Sequence, residues 1–148
     1  MPERAGGIRM PPWAYIPGRT ARHPEDWFDD IKSSVRPGMT PEDLQRTAAF
    51  AAGLHYLDTG YFWECHEVLE AVWMQTAEGS AERDMVQALI QLANARLKLR
   101  MARPNAARRL CDMIDAHLAR LPDGAILGVP PDSLREMVAG VRREVETQ

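Results

Sequence analysis

The sequence is poor in cysteine, contains no long apolar run and carries no excess of basic residues. Cys65 and Cys111 are the two cysteines among 148 residues, and we expect both to be reduced, buried thiols. The longest uncharged apolar run, residues 48–54, is far shorter than the ~20 residues that span a bilayer. A net charge of −3 gives no general attraction to nucleic acid or anionic membranes, so we expect neither as a partner.

Signatures of several large enzyme classes are also missing. The sequence contains no Gly-x-Ser-x-Gly elbow, no phosphate-binding loop and no dinucleotide fingerprint. Residues 1–4 are not followed by the apolar core of a signal peptide. We therefore expect a cytoplasmic protein whose function does not depend on these motifs.

Helical periodicity is what the sequence does contain. Apolar residues recur at helical spacing in five segments separated by Gly and Pro, at about residues 41–60, 61–77, 81–101, 105–121 and from 132 onward. No segment alternates at period two over five or more residues. The pattern predicts an all-α fold, a single-domain antiparallel bundle of about five main helices. We expect Asp132 or Ser133 to cap the last helix, and Ser133 and Glu136 match the spacing of a capping box.

Residues 1–37 depart from this pattern. Five of the eleven prolines lie in residues 1–24, together with Trp13, Tyr15 and Ile16. Disordered tails are usually poorer in such large apolar groups. We predict an extended N-terminal arm docked on the core, with a short helix at residues 25–33, followed by the helical bundle domain at 38–148.

The most unusual side chains lie in residues 61–73, Tyr-Phe-Trp-Glu-Cys-His-Glu-Val-Leu-Glu-Ala-Val-Trp. Wound at ~100° per residue, this helix brings His66 next to Glu70, with Trp73 beside them. The Glu70 carboxylate favours the charged form of the His66 imidazole, whereas burial favours the neutral form. A histidine balanced between the two forms suits a general base, a proton relay or a metal ligand. His66 and Glu70 are therefore the candidate catalytic residues.

The direction of the apolar arc determines which polar side chains of this helix are exposed to solvent. We place the arc from Val72 to Trp73 and expect it to continue into His66 and Glu70. Glu64 and Glu67 then lie nearer the solvated face. Gln87 and Gln91 belong to a polar stripe on the third predicted helix, at residues 81–101. This stripe could line a cleft opposite His66. The candidate binding residues are Tyr61, Phe62, Trp63, Glu67, Trp73, Gln87 and Gln91.

A metal centre is an alternative for the same pair. Imidazole and carboxylate ligands suit Zn, Mn or Fe(II), and His66 and Glu70 are the candidate ligands. The paired Glu-x-x-His motifs of di-metal bundles are missing, and Glu70 occupies the place of the second zincin histidine. A mononuclear site would need a third ligand from elsewhere in the chain. The candidates for it are His55, His117, Asp112 and Asp115.

These residues resemble the uncharacterised bacterial and archaeal domain-of-unknown-function family 309, which has a His-x-x-x-Glu-x-x-Trp/Tyr motif. His66, Glu70 and Trp73 match the motif, and the resemblance covers roughly residues 45–122, with the arm matching loosely. Asn94 lies in a region where the family would suggest a histidine. The resemblance implies an all-helical bundle with a functionally important helix, and it supplies no activity.

Three functions are compatible with this sequence. The first is a binding protein that holds a small ligand or a partner beside the aromatic residues. The second is a metal-assisted, hydrolase-like enzyme that uses His66 and Glu70 as ligands or as an acid–base pair. The third is a purely structural role for the pair. Homo-oligomerisation is compatible with all three.

Overall fold

The computed structural model describes residues 4–5 and 7–148, so residues 1–3 and 6 of the predicted arm lie outside the described part. Within that part the protein is all-α, as predicted, apart from a small antiparallel hairpin. The hairpin pairs β1 (Arg4–Ala5) with β2 (Ile8–Arg9). The helices found there are α1 (Asp29–Lys32), α2 (Pro41–Gln45), α3 (Ala48–Thr59), α4 (Phe62–Trp73), α5 (Ala81–Arg100), α6 (Pro104–Ala119) and α7 (Pro131–Thr147).

The chain forms two compact units, Met1–Gln75 and Thr76–Gln148. In the first unit α3 packs against α4, and α1 contacts both of them. In the second unit α5 packs against α6 and α7, which also contact each other. The arm and bundle boundary at residue 37 stays a prediction.

The helix predicted at residues 41–60 is interrupted. Thr40 and Asp43 form a reciprocal capping box that starts α2. At Thr47 the backbone is extended, with φ −69° and ψ 151°, and the Thr47 hydroxyl accepts the Phe50 N–H at 3.1 Å. An extended N-cap residue cannot continue a helix, so a new one, α3, starts there. The prediction of one uninterrupted helix is wrong at this position.

Two glycines place α4 against α3. Gly60 ends α3 in the left-handed conformation, with φ 90°, which glycine adopts without steric cost. Gly53 faces α4 at close range, since a Cβ built on it would come within 2.4 Å of Leu69 Cδ2. The missing side chain therefore lets α4 pack tightly on α3.

Other local predictions had mixed outcomes. Both cysteines are free and buried, as expected. The short helix predicted at residues 25–33 covers only Asp29–Lys32. The capping box predicted for the last helix is wrong, because α7 starts at Pro131 and the Ser133 hydroxyl donates to the Pro130 carbonyl instead. None of the helices in the described residues is long and apolar enough to cross a membrane.

Candidate functional site

Helix α4 has a buried arc and an accessible arc. The buried residues are Phe62, Glu64, Cys65, Val68, Leu69 and Val72. With His66 at zero, they span about 160° to about 320° around the helix at ~100° per residue. The opposite arc, from about −20° to about 100°, is half-buried or exposed, and we call it the α4 face. The α4 face consists of Trp63, His66, Glu67, Glu70 and Trp73.

The apolar arc therefore extends in the direction opposite to the one expected. It runs from Val72 through Val68 to Glu64, which is 0% exposed. The prediction that Glu64 lies near the solvated face, and that the apolar arc continues into His66 and Glu70, is wrong. The angles around a single helix do not determine in which direction the buried arc extends from Val72. The arm residues that contact Glu64 determine it.

The predicted contact between His66 and Glu70 forms at the surface. His66 Nε2 lies 3.1 Å from Glu70 Oε2, and the two side chains are 36% and 56% exposed. One turn separates them along α4, as the i, i+4 spacing requires. Solvent screens such a pair, so it contributes little to stability and stays accessible to a ligand. Glu67, further round the α4 face, pairs with Lys32 Nζ.

A fully buried polar contact in the first unit joins His23 of the arm to Glu64. His23 Nε2 lies 2.6 Å from Glu64 Oε2, and the two side chains are 1% and 0% exposed. The Tyr15 N–H also donates to Glu64 Oε2, at 2.7 Å. We call these three groups the His23–Glu64 clasp. Neither Glu64 Oε1 nor His23 Nδ1 has a hydrogen-bond partner among the described residues.

Aromatic rings surround the histidine of the clasp. Trp13 stacks on the His23 imidazole, with ring centroids 5.3 Å apart and an interplanar angle of 29°. Trp27, Phe28 and Trp63 have their centroids between 5.6 and 6.4 Å from it. The rings exclude water from the clasp, which strengthens the hydrogen bond inside it.

The His23–Glu64 clasp positions other groups and does not itself form an accessible site. Its side chains are too deeply buried to reach a substrate, and breaking such a pair is costly because one polar group is left without a partner. The same arm residues hold Trp63, since Tyr15 meets its ring edge-on at 5.2 Å. The clasp thereby fixes one of the two tryptophans of the α4 face.

Sequence reasoning missed His23 altogether. The aromatic content of the arm indicated that it docks, but His23 and Glu64 lie 41 residues apart. No periodic pattern connects residues across such a distance. The usable signal was a histidine among the large aromatics of a proline-rich segment.

The remaining predicted binding residues are spread over both units. Tyr61 precedes α4 and its ring lies 6.1 Å from that of Tyr56. Phe62 belongs to the buried arc of α4. Gln87 and Gln91 lie half-buried on α5, in the second unit. A polar cleft that joins these two glutamines to His66 stays a prediction.

Three of the four candidate third metal ligands make other contacts, whereas His55 Nε2 is buried and has no hydrogen-bond partner among the described residues. His117 Nδ1 lies 2.8 Å from Asp84 Oδ1. Asp112 and Asp115 both pair with Arg142, at 2.8 and 2.9 Å. Within the described residues, no group of three or more His, Cys, Asp or Glu side chains could hold a metal ion. A metal at His66 and Glu70 stays a prediction based on two protein ligands.

Cysteine chemistry at α4 is also disfavoured. Cys65 is fully buried, and burial raises the pKa of its thiol well above the usual range, with the nearby Glu64 carboxylate adding to the effect. The reactive thiolate is therefore not formed at neutral pH. His66 cannot activate it either, since neighbouring helical residues point ~100° apart.

Comparison with known families adds one finding. Residues 50–110 match the model of a domain of unknown function, DUF309. The resemblance expected from the sequence is thus confirmed over the region that contains all of α4. The arm, including His23, lies outside the DUF309 match. No curated protein and no solved structure matches the chain. The DUF309 description names no activity.

Proposed function

We propose that the protein is a binding protein and that the α4 face holds its ligand. The ligand chemistry that suits this face is a cationic group next to an apolar one. A small amine has this chemistry, and so does a basic side chain of a partner protein. We also propose a cytoplasmic location, in keeping with two buried free thiols.

The observation that carries the proposal is the order of side chains around the α4 face. His66 and Glu70 lie at about 0° and 40°, between Trp73 at about −20° and Trp63 at about 60°. The accessible polar pair is thus flanked by two half-buried indoles. Tryptophan is the side chain that contributes most often to binding hot spots.

The charge of α4 favours a cationic ligand. From residue 61 to residue 78 the chain has four Glu and no Lys or Arg. Glu64 already pairs with His23 in the buried clasp, and Glu67 pairs with Lys32. Glu70 is 56% exposed and faces only the titratable His66 in its ion pair, so it is the carboxylate best able to accept an incoming cation.

The tryptophans add a second source of attraction for the same group. A cation over an indole face within about 6 Å gains roughly 0.5–1 kcal/mol at exposed sites. Trp63 is already oriented by its edge-on contact with Tyr15, which lowers the entropy lost on binding. Met74, 64% exposed at the end of α4, extends the apolar part of the surface.

The test is an NMR titration with hexylammonium, using hexanol as the uncharged control of the same length. The signals to follow are the indole N–H resonances of Trp63 and Trp73. We expect both to shift in a saturable way with hexylammonium and to shift several-fold less in a Glu70→Gln variant. Glu136→Gln, which makes the same charge change at an exposed site on α7, is the matched control and should behave as the wild type.

Two results would overturn the proposal. Equal shifts with hexanol and hexylammonium would mean that the surface recognises only apolar groups. Equal shifts in the Glu70→Gln variant would mean that the carboxylate takes no part. If hexylammonium is bound, a lysine-containing peptide titrated under the same conditions distinguishes a partner protein from a small amine as the natural source of the cation.

A further inference from the structure

The first unit contains a second place where a ligand could be held, on the side of the arm hairpin. A pocket of about 360 Å³ lies between β2, α1 and α3. Its volume falls within the range of small-molecule sites, roughly 300–1,000 Å³. Arg9 from β2 and Asp30 from α1 line it together with glycine, alanine and isoleucine residues. None of its lining residues belongs to the α4 face.

We propose that this pocket binds a small zwitterion of the α-amino-acid type. In this arrangement Arg9 holds the carboxylate, Asp30 holds the ammonium group, and the side chain of the ligand lies on the apolar floor. The proposal is independent of the function assigned to the α4 face.

The first support is the fixed position of Arg9. Its Nη1 donates to the Trp27 carbonyl at 2.8 Å, and its guanidinium carbon lies 4.0 Å from the centroid of the Trp27 ring. The Arg9 carbonyl accepts the Tyr56 hydroxyl, which ties the strand to α3. A guanidinium has five N–H donors in a planar fork. The N–H groups that do not point at Trp27 can donate two parallel hydrogen bonds to a carboxylate, which is the geometry typical of arginine.

The second support is that the two opposite charges do not neutralise each other. Arg9 and Asp30 line the same pocket, yet among the described residues they form no ion pair with one another. A ligand with a single charge would satisfy one of them and be repelled by the other. A zwitterion whose charges are a few ångströms apart satisfies both.

The third support is the apolar floor between the charges. Ile8 and Ile31 contribute branched side chains, whereas α3 contributes the short Ala48, Ala51 and Ala52. Alanines leave volume that longer side chains would fill. The floor therefore suits a ligand with a short aliphatic side chain.

The experiment compares L-leucine with two analogues that each lack one charge, isopentylamine and 4-methylpentanoate. Binding is followed by NMR on the methyl signals of Ala48 and Ala51. We expect leucine to shift these signals in a saturable way and each analogue to bind at least several-fold more weakly. Asp30→Asn should weaken leucine binding and strengthen 4-methylpentanoate binding, because it removes the charge that repels the carboxylate of this analogue. Its matched control is the neighbouring exposed Asp29→Asn, which should bind leucine as the wild type does.

A further variant fills the pocket without removing a charge. Ala51 is exposed on α3, so Ala51→Leu is expected to fold normally and to abolish leucine binding. Arg9→Lys keeps the positive charge and loses the planar fork, so it should weaken leucine binding while the arm stays docked. The proposal is overturned if both analogues bind as well as leucine, if Ala51→Leu binds leucine normally, or if leucine causes no shift at millimolar concentration.

Discussion

Replacement of Glu64 by alanine should destabilise the protein far more than the same change at Glu70 on the same helix. The substitution removes the acceptor for two hydrogen bonds, from the Tyr15 N–H at 2.7 Å and from His23 at 2.6 Å. Each buried polar group left without a partner costs about 1–3 kcal/mol. Breaking a buried pair by removing one member costs about 3–5 kcal/mol in total. For a chain of this size, that free energy lowers Tm by roughly 6–20 °C.

The assay is urea unfolding followed by far-UV circular dichroism, for Glu64→Ala, His23→Ala and the double variant. We expect the double variant to be less destabilised than the sum of the single variants, because the second substitution removes a group that the first has already left without a partner. Glu70→Ala is the control on the same helix. Its partner His66 is solvent-exposed, so the loss should not exceed about 1 kcal/mol.

The reasoning is refuted if Glu64→Ala and His23→Ala each cost less than about 1 kcal/mol, or if their effects simply add. A larger loss for Glu70→Ala than for Glu64→Ala would also contradict it. That outcome would instead favour the structural hypothesis for the His66–Glu70 pair.

Two further predictions concern packing and charge. Gly53→Ala should cost about 1–3 kcal/mol by overpacking, since its Cβ would lie 2.4 Å from Leu69 Cδ2. Gly140→Ala, whose Cβ would lie 3.4 Å from its nearest neighbour, should be neutral or stabilising in the same urea unfolding experiments. Hydrogen bonding from Arg120, followed by that from the nearby histidine, holds the pKa of Asp84 below its usual value of 3.8. The stability gained from Asp84 is then present above about pH 4 and lost as the pH falls through the lowered pKa. The gap in unfolding free energy between wild type and Asp84→Asn should accordingly shrink below about pH 4, and a gap that does not change with pH would count against this.

Local signals made the helices predictable. The hydrophobic period and the Gly and Pro breaks indicate α3 to α7, and the His66–Glu70 contact follows from the i, i+4 spacing alone. The interruption at Thr47 has the same local origin, since a threonine can act as a helix interior residue or as an N-cap. The packing of the chain decides between these two uses.

The candidate site depended on contacts that no local pattern contains. Winding α4 gives the angles between its side chains, but the helix can extend its buried arc from Val72 in either direction. The arm decides that direction, because Tyr15 and His23 supply the hydrogen bonds that allow Glu64 to be buried. Without knowledge of that contact, a glutamate is expected to be solvated and a histidine near tryptophans to be buried.

Binding of a cationic, partly apolar ligand at the α4 face can be detected directly by the nuclear Overhauser effect. In the presence of saturating hexylammonium, we predict intermolecular effects between the ligand methylene protons and the indole protons of both Trp63 and Trp73. These effects should disappear in Glu70→Gln at the same ligand concentration. Effects confined to protons elsewhere in the chain, or none at either indole, would mean that the α4 face does not bind this ligand.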